Sequence, residues 1–108
     1  MELRRIVAII RWSALEKVEE QLRQLGVKGI SVSPVKGYGE YANLSKADWM
    51  VNNARVEVFI RQTEVDSIVT AIFDGAHSGS PGDGLVAVMP VEKLYRIRTK
   101  TEASSDTI

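Results

Sequence analysis

Between Leu3 and Ile10 the chain is a run of Leu, Ile, Val and Ala broken only by Arg4 and Arg5. It is too short for a helix of ordinary length and rich in β-branched residues, which predicts a buried strand. Arg11 and Trp12 end it. Ser13-Ala14-Leu15-Glu16 follows with the spacing of a capping box, in which the Ser13 hydroxyl accepts from a helical N–H and Glu16 reaches back to the Ser13 N–H. Leu15, Val18, Leu22 and Leu25 then recur on one helical face, with Lys17, Glu19, Glu20 and Arg23 largely opposite, before Gly26 offers a C-terminal cap.

The second half repeats this order. Ile30 to Lys36 predicts a strand, and Gly37-Tyr38-Gly39 lets the chain turn away from it. A polar loop from Glu40 to Arg55 comes next, long enough to be of functional interest in a small domain. Val56 to Ile60 reads as a third strand, and Thr63-Glu64-Val65-Asp66 opens a second helix with Val65, Ile68, Val69, Ile72 and Phe73 as its apolar stripe. Ser78-Gly79-Ser80-Pro81-Gly82-Asp83-Gly84 is turn-rich, Leu85 to Val91 is a fourth strand, and Tyr95 to Thr99 is a short fifth strand or extended segment. Glu102 to Thr107 reads as frayed. Two strand-helix-strand units in succession predict an α+β fold: the ferredoxin-like double βαβ sandwich, an antiparallel sheet with two helices on one face. Its other face must be solvated or covered, and apolar strand residues favour covering by sister subunits.

Composition narrows the function classes. A chain of 108 residues has the size of one domain, and 44% apolar with 26% charged residues is ordinary for a globular protein. Fourteen basic and fourteen acidic side chains cancel, so the long-range field that drives non-specific nucleic-acid binding is missing. With no cysteine there is no disulfide framework, thiol nucleophile or cysteine-rich zinc site, and the chain suits a reducing cytoplasm. The first apolar run is short and flanked by charges, and reads as a strand in place of a signal peptide.

Candidate chemistry gathers at the glycines. Gly79, Gly82 and Gly84 allow a backbone to approach a phosphate closely, and turn backbones form anion-binding nests. No Lys-Ser/Thr pair follows, so this is not a Walker A loop. Arg96 and Arg98 alternate, so an extended chain would point both guanidinium groups to one face, where they could fork onto phosphate oxygens. His77, the sole histidine, reads as a helix C-terminal residue, and Glu64 with Asp66 as acids favoured at a helix start. Asp83 reads as the shaper of its turn. Trp12 reads as packing, whereas Asp48 and Trp49 stand in the long loop, where an aromatic residue can anchor a partner.

Taken in order, Arg5-Ile6-Val7-Ala8-Ile9-Ile10-Arg11, Val35-Lys36-Gly37-Tyr38-Gly39, Ser78-Gly79-Ser80-Pro81-Gly82-Asp83-Gly84 and Tyr95-Arg96-Ile97-Arg98-Thr99 resemble the PII signal-transduction family of nitrogen and carbon regulators. The resemblance spans nearly the whole chain. It implies one domain over residues 1–101 with a flexible tail at 102–108, a homotrimer, and adenine nucleotide (ADP, AMP or ATP) bound between subunits as an effector, with no required cofactor, metal or catalytic residue. It also implies a target-contacting T-loop at about 38–55 and a B-loop at about 78–85. The nucleotide residues it implies are Ile9, Lys36, Gly37, Tyr38, Gly39, Ser78, Gly79, Gly82, Asp83, Gly84, Leu85, Arg96 and Arg98, and the target-contacting ones Glu40, Tyr41, Asp48 and Trp49.

Departures from that pattern carry information too. Leu85 stands where better-known members have a basic residue, which removes one cation from the phosphates. Glu40 and Tyr41 replace a basic residue and a glutamine that helps hold magnesium and 2-oxoglutarate, so 2-oxoglutarate sensing is not expected. The T-loop is shorter than in those members, and the tyrosine they have uridylylated is not evident. These features are similar to PII-like branches found beside bicarbonate transporters or carboxysome genes. The expectation is a non-enzymatic regulator of a partner such as a bicarbonate transporter, with bicarbonate as a second effector at Arg11, Lys36, Arg96 or Arg98. A cyclic-nucleotide sensor, a structural trimer without nucleotide and a small nucleotide hydrolase are the alternatives.

Overall fold

The computed structural model describes residues 2–37 and 51–104. Strands β1 (Leu3–Arg11), β2 (Ser31–Gly37), β3 (Val51–Arg61) and β4 (Gly84–Val91) form a sheet in the order β2-β3-β1-β4, each neighbouring pair antiparallel. Helices α1 (Leu15–Gln24) and α2 (Val65–Ala76) lie against one face. This is the double βαβ sandwich that the hydrophobic pattern predicts. Because side chains alternate along a strand, Ile6, Ala8 and Ile10 of β1 and Ala54, Val56, Val58 and Ile60 of β3 turn to the helices and bury with Val18, Leu22, Ile68, Ala71 and Ile72. Val7, Ile9, Phe59, Leu85, Ala87 and Met89 occupy the opposite face, together with the Arg5–Glu57 ion pair.

The helices begin differently from the expected capping boxes. A 3-10 turn, Trp12–Ala14 before α1 and Gln62–Glu64 before α2, takes up the first turn, and neither helix start has a side-chain cap bond. Ser13 and Thr63 therefore lie inside a tight turn and not ahead of a helix. The C-terminus of α1 does follow expectation: Gly26 has φ 83°, its N–H donates to the Arg23 carbonyl, and the Val27 N–H donates to the Leu22 carbonyl. That bond pair is a Schellman motif, which needs a residue tolerant of positive φ.

Two apolar residues of the expected stripes are exposed. Leu25, 48% exposed, borders the outer groove between the helices, and Phe73, 55% exposed, overhangs the edge strand β4. Small residues take the close positions instead. Ala71 and Gly75 are buried, and a Cβ added at Gly75 would lie 2.8 Å from Val18 Cγ2 and 2.9 Å from Val18 Cα. Helix packing is set by that close approach, which a hydrophobicity pattern does not register.

Strand β3 begins at Val51, ahead of the expected Val56, so residues 51–55 belong to the sheet and not to the loop. Its start, Val-Asn-Asn-Ala-Arg, carries three polar residues and is held by backbone pairing to β2, with Asn53 opposite Val35 and Arg55 opposite Ser33. At the other end the chain does not fray at Glu102. Strands β5 (Tyr95–Arg96) and β6 (Thr101–Glu102) form a small hairpin, and buried Ala103 donates its N–H to the Leu94 carbonyl at 2.7 Å. Among the described residues no helix is long and apolar enough to cross a membrane.

Candidate functional site

Strand pairing brings one row of residues across the end of the sheet. Ile10 of β1 stands opposite Gly84 of β4, which sets Arg11 beside Asp83; on its other side Arg11 stands opposite Asn53, and Asn53 opposite Val35 of β2. The row Asp83, Arg11, Asn53, Val35 thus joins the end of the glycine-rich turn to both strands that lead into residues 38–50. Asn53, at its centre, is fully buried.

The glycine-rich turn is built around an anion of its own. Asp83 Oδ2 accepts from the Ser78 N–H at 2.8 Å and the Gly79 N–H at 2.9 Å, while its Oδ1 accepts from the Ser78 hydroxyl and pairs with Arg11 Nη1. Arg11 Nη2 also donates to the Pro81 carbonyl at 2.7 Å, and Nη1 lies 3.3 Å from Ser78 Oγ. The Ser78 hydroxyl and N–H hold the Asp83 carboxyl well below the usual carboxylate range; desolvation pushes the other way, and the Arg11 guanidinium and Gly79 N–H add smaller downward contributions. His77 ends α2, donates its N–H to the Phe73 carbonyl at 2.8 Å, and places Nδ1 3.7 Å from Asp83 Oδ2.

Glycine is required where the turn enters the sheet. Gly84 has φ 113°, and a Cβ there would sit 1.8 Å from the Ile9 carbonyl oxygen. Gly82, with φ 95°, is buried beside it. The turn is therefore fixed at both ends, by Asp83 on the amides of 78 and 79 and by the backbone contact at Gly84.

Several expected site residues meet here. Ile9 and Leu85 are ladder partners on the face away from the helices, one step from the row that holds Arg11 and Asp83, and Lys36 and Gly37 lie at the same end of β2. Other expectations change. Arg11 does not stand ready for a small anion, because Asp83, Ser78 and Pro81 already engage its guanidinium. The amides of Ser78 and Gly79 are likewise taken by Asp83, so the nest expected to receive a phosphate holds a carboxylate of the same chain. Arg96 and Arg98 do not alternate along one strand: Arg96 is in β5, while residues 97–100 turn, with Lys100 at φ 57°. Strand β4 includes Leu85, as expected, and begins one residue earlier, at Gly84. Tyr38, Gly39, Glu40, Tyr41, Asp48 and Trp49 lie outside the described residues.

The sequence reading missed the link between Arg11 and Asp83, although a signal for it exists. The first strands of the two half-repeats end alike, in Ile9-Ile10-Arg11 and Phe59-Ile60-Arg61. Arg61 finds Glu64 three residues on, at 2.7 Å, whereas Arg11 has Ala14 at that spacing and must take a partner distant in sequence.

A cavity of about 170 Å³ lies under the turn, lined by Ile10, Phe73, Ala76, His77 and Val86 among others. It opens on the helix side of the sheet, across from Ile9. Among the described residues no group of His, Asp and Glu side chains is arranged to hold a metal ion.

Residues 3–101 match the family model described as nitrogen regulatory protein P-II. The nitrogen regulatory protein P-II of Azospirillum brasilense is 36% identical over 104 residues, covering 90% of this chain and 93% of the relative. That of Pasteurella multocida is 33% identical over 107 residues, covering 93% and 96%. A crystal structure of Arabidopsis thaliana PII bound to citrate superposes with a TM-score of 0.80 at 29% identity, over 94% of this chain and 85% of that one.

Proposed function

Because this chain belongs to the nitrogen regulatory protein P-II family, we propose that it is a non-enzymatic homotrimeric regulator which binds an adenine nucleotide between subunits and signals through residues 38–50. The observation that carries the reading is the open sheet face beside the glycine-rich turn. Ile9 and Leu85 form an apolar step there, Leu85 is 42% exposed, and the turn beside it is preset by its own contacts. One subunit supplies one wall of a cleft, and a neighbour packed on Phe59, Leu85 and Met89 supplies the other. A ligand switches the protein only by binding two loop states with different affinity; moving a 1:99 population to 99:1 needs about 5.5 kcal/mol of difference.

In this reading Asp83 shapes the turn, and the phosphates lie against the backbone near Gly82 and Gly84, with Arg96 and Arg98 as their cations. ADP and AMP carry less charge than ATP and suit a site in which Leu85 adds no cation and Asp83 is ionised. Bicarbonate as a second effector falls to Lys36, Arg96 or Arg98, and a bicarbonate transporter is the target we propose. Isothermal titration with ADP, with and without bicarbonate, tests both steps. ADP binding that weakens at least about tenfold in Arg96→Ala/Arg98→Ala is expected; unchanged affinity refutes the phosphate assignment. Bicarbonate that leaves ADP affinity unchanged removes it as a coupled effector, since coupling is reciprocal.

A further inference from the structure

Arg11 makes contacts that the nucleotide reading does not use. Its guanidinium reaches the far side of the glycine-rich turn, to Asp83, Ser78 and the Pro81 carbonyl. Its backbone is the last rung of β1 against β3, opposite fully buried Asn53. Asn53 in turn stands opposite Val35, one rung from Lys36 paired with Asn52. A single residue, by its side chain on one side and its backbone on the other, therefore joins residues 78–83 to the strands that flank residues 38–50.

We infer that Arg11 is a positioning residue that mechanically links the glycine-rich turn to the base of the β2–β3 arm. Asp83 is ionised and holds Arg11 in a charge-assisted pair, so any shift of the turn must either break that pair or carry Arg11 with it. Arg11 cannot move alone. As the terminal rung of the central strand, with β3 on one side and β4 on the other, it drags the Asn53 rung when it is displaced. Exposed charge pairs contribute little in general, yet this one is partly enclosed, with the two side chains 30% and 23% exposed, and is shared among several acceptors. The alternative use of Arg11, as a ligand for a small anion, would require Asp83 to be displaced first.

The link rests on contacts within the chain; its use in signalling rests on the nucleotide reading above. Hydrogen-deuterium exchange of the full chain separates the two. Arg11→Met keeps the aliphatic stem and removes the charge. Without ligand it should speed amide exchange roughly tenfold both at residues 78–84 and at 52–55, leaving 57–60 unchanged. Asp83→Asn should give the same paired pattern, and Arg11→Lys, with its charge but no fork, a smaller increase at both segments. In the wild type, ADP should slow exchange at 52–55, and in Arg11→Met saturating ADP should not. Faster exchange confined to 78–84 overturns the link even if ADP still binds. If the wild type ignores ADP while the paired, ligand-free pattern appears, the link stands and the nucleotide reading falls. Should Arg11→Met unfold, seen as faster exchange at 57–60, Arg11→Lys and Asp83→Asn carry the same comparison, and an increase at one segment alone in both refutes the proposal.

Discussion

Replacing Gly84 by alanine should be the most damaging single-methyl change in this protein. Two costs add. At φ 113° a residue with a Cβ is strained by about 1 to 3 kcal/mol. The new Cβ would also lie 1.8 Å from the Ile9 carbonyl oxygen and 2.9 Å from its carbonyl carbon. A methyl attached to the backbone cannot rotate away, so the end of β4 must lift off β1, which removes one or two ladder bonds worth about 0.5 to 1.5 kcal/mol each. The total is about 1.5 to 6 kcal/mol, and for a chain of this length it lowers Tm by about 7 to 26 °C. Gly79→Ala is the control. Gly79 also has positive φ, 86°, but a Cβ there meets nothing nearer than the His77 ring at 4.0 Å. It should cost only the conformational strain, about 1 to 2 kcal/mol. Thermal unfolding of both variants and the parent at one protein concentration decides the matter, because association would shift each Tm with concentration. If Gly84→Ala melts with Gly79→Ala, the close approach of β4 to Ile9 is wrong.

Further predictions concern charge and packing. Asp83→Asn should lower stability at neutral pH by about 1.5 to 3 kcal/mol through loss of charge-assisted bonds. Since the folded Asp83 carboxyl lies below its ordinary value of 3.8, its contribution is fully present above that pH and is lost as pH falls further. Denaturation in a pH series should show a constant gap between parent and variant from pH 7 down to about 5 that narrows below about 4, and a gap that closes near neutrality refutes the assignment. Gly75→Ala should destabilise in urea unfolding by about 1 to 3 kcal/mol despite alanine's higher helix propensity, because Val18 leaves no room; a stabilised variant would show that the helices separate freely. Arg5→Ala and Glu57→Ala should each weaken self-association, read by sedimentation, more than the double variant does, because removal of one partner leaves the other charge on the face that a neighbouring subunit would cover in the proposed trimer.

Much of the architecture was legible in the sequence because it depends on periodicity. Alternation placed Ile6, Ala8 and Ile10 on one face of a strand, helical spacing placed Val18, Leu22, Ile68 and Ile72 inward, and Gly26 marked the end of the first helix. The glycine-rich turn was equally visible as a place where backbone conformation, and not side-chain burial, is in control. The four matched stretches also carried the family resemblance.

What the sequence left open depended on contacts between residues distant along the chain. A polar strand start such as Val51–Arg55 has no hydropathy signature, since it is held by backbone bonds to β2 that only the assembled sheet offers. The capping boxes had the right letters, yet a 3-10 turn follows directly on Arg11 and on Arg61, both still extended, and takes the place of each box. Most consequentially, Arg11 and Asp83 are separated by most of the chain and become neighbours only when β4 pairs with β1. Local spacing determined which residues form strands, helices and the turn; the antiparallel register, a property of the whole sheet, decided that the turn holds its own carboxylate and that an arginine ties it to the opposite arm.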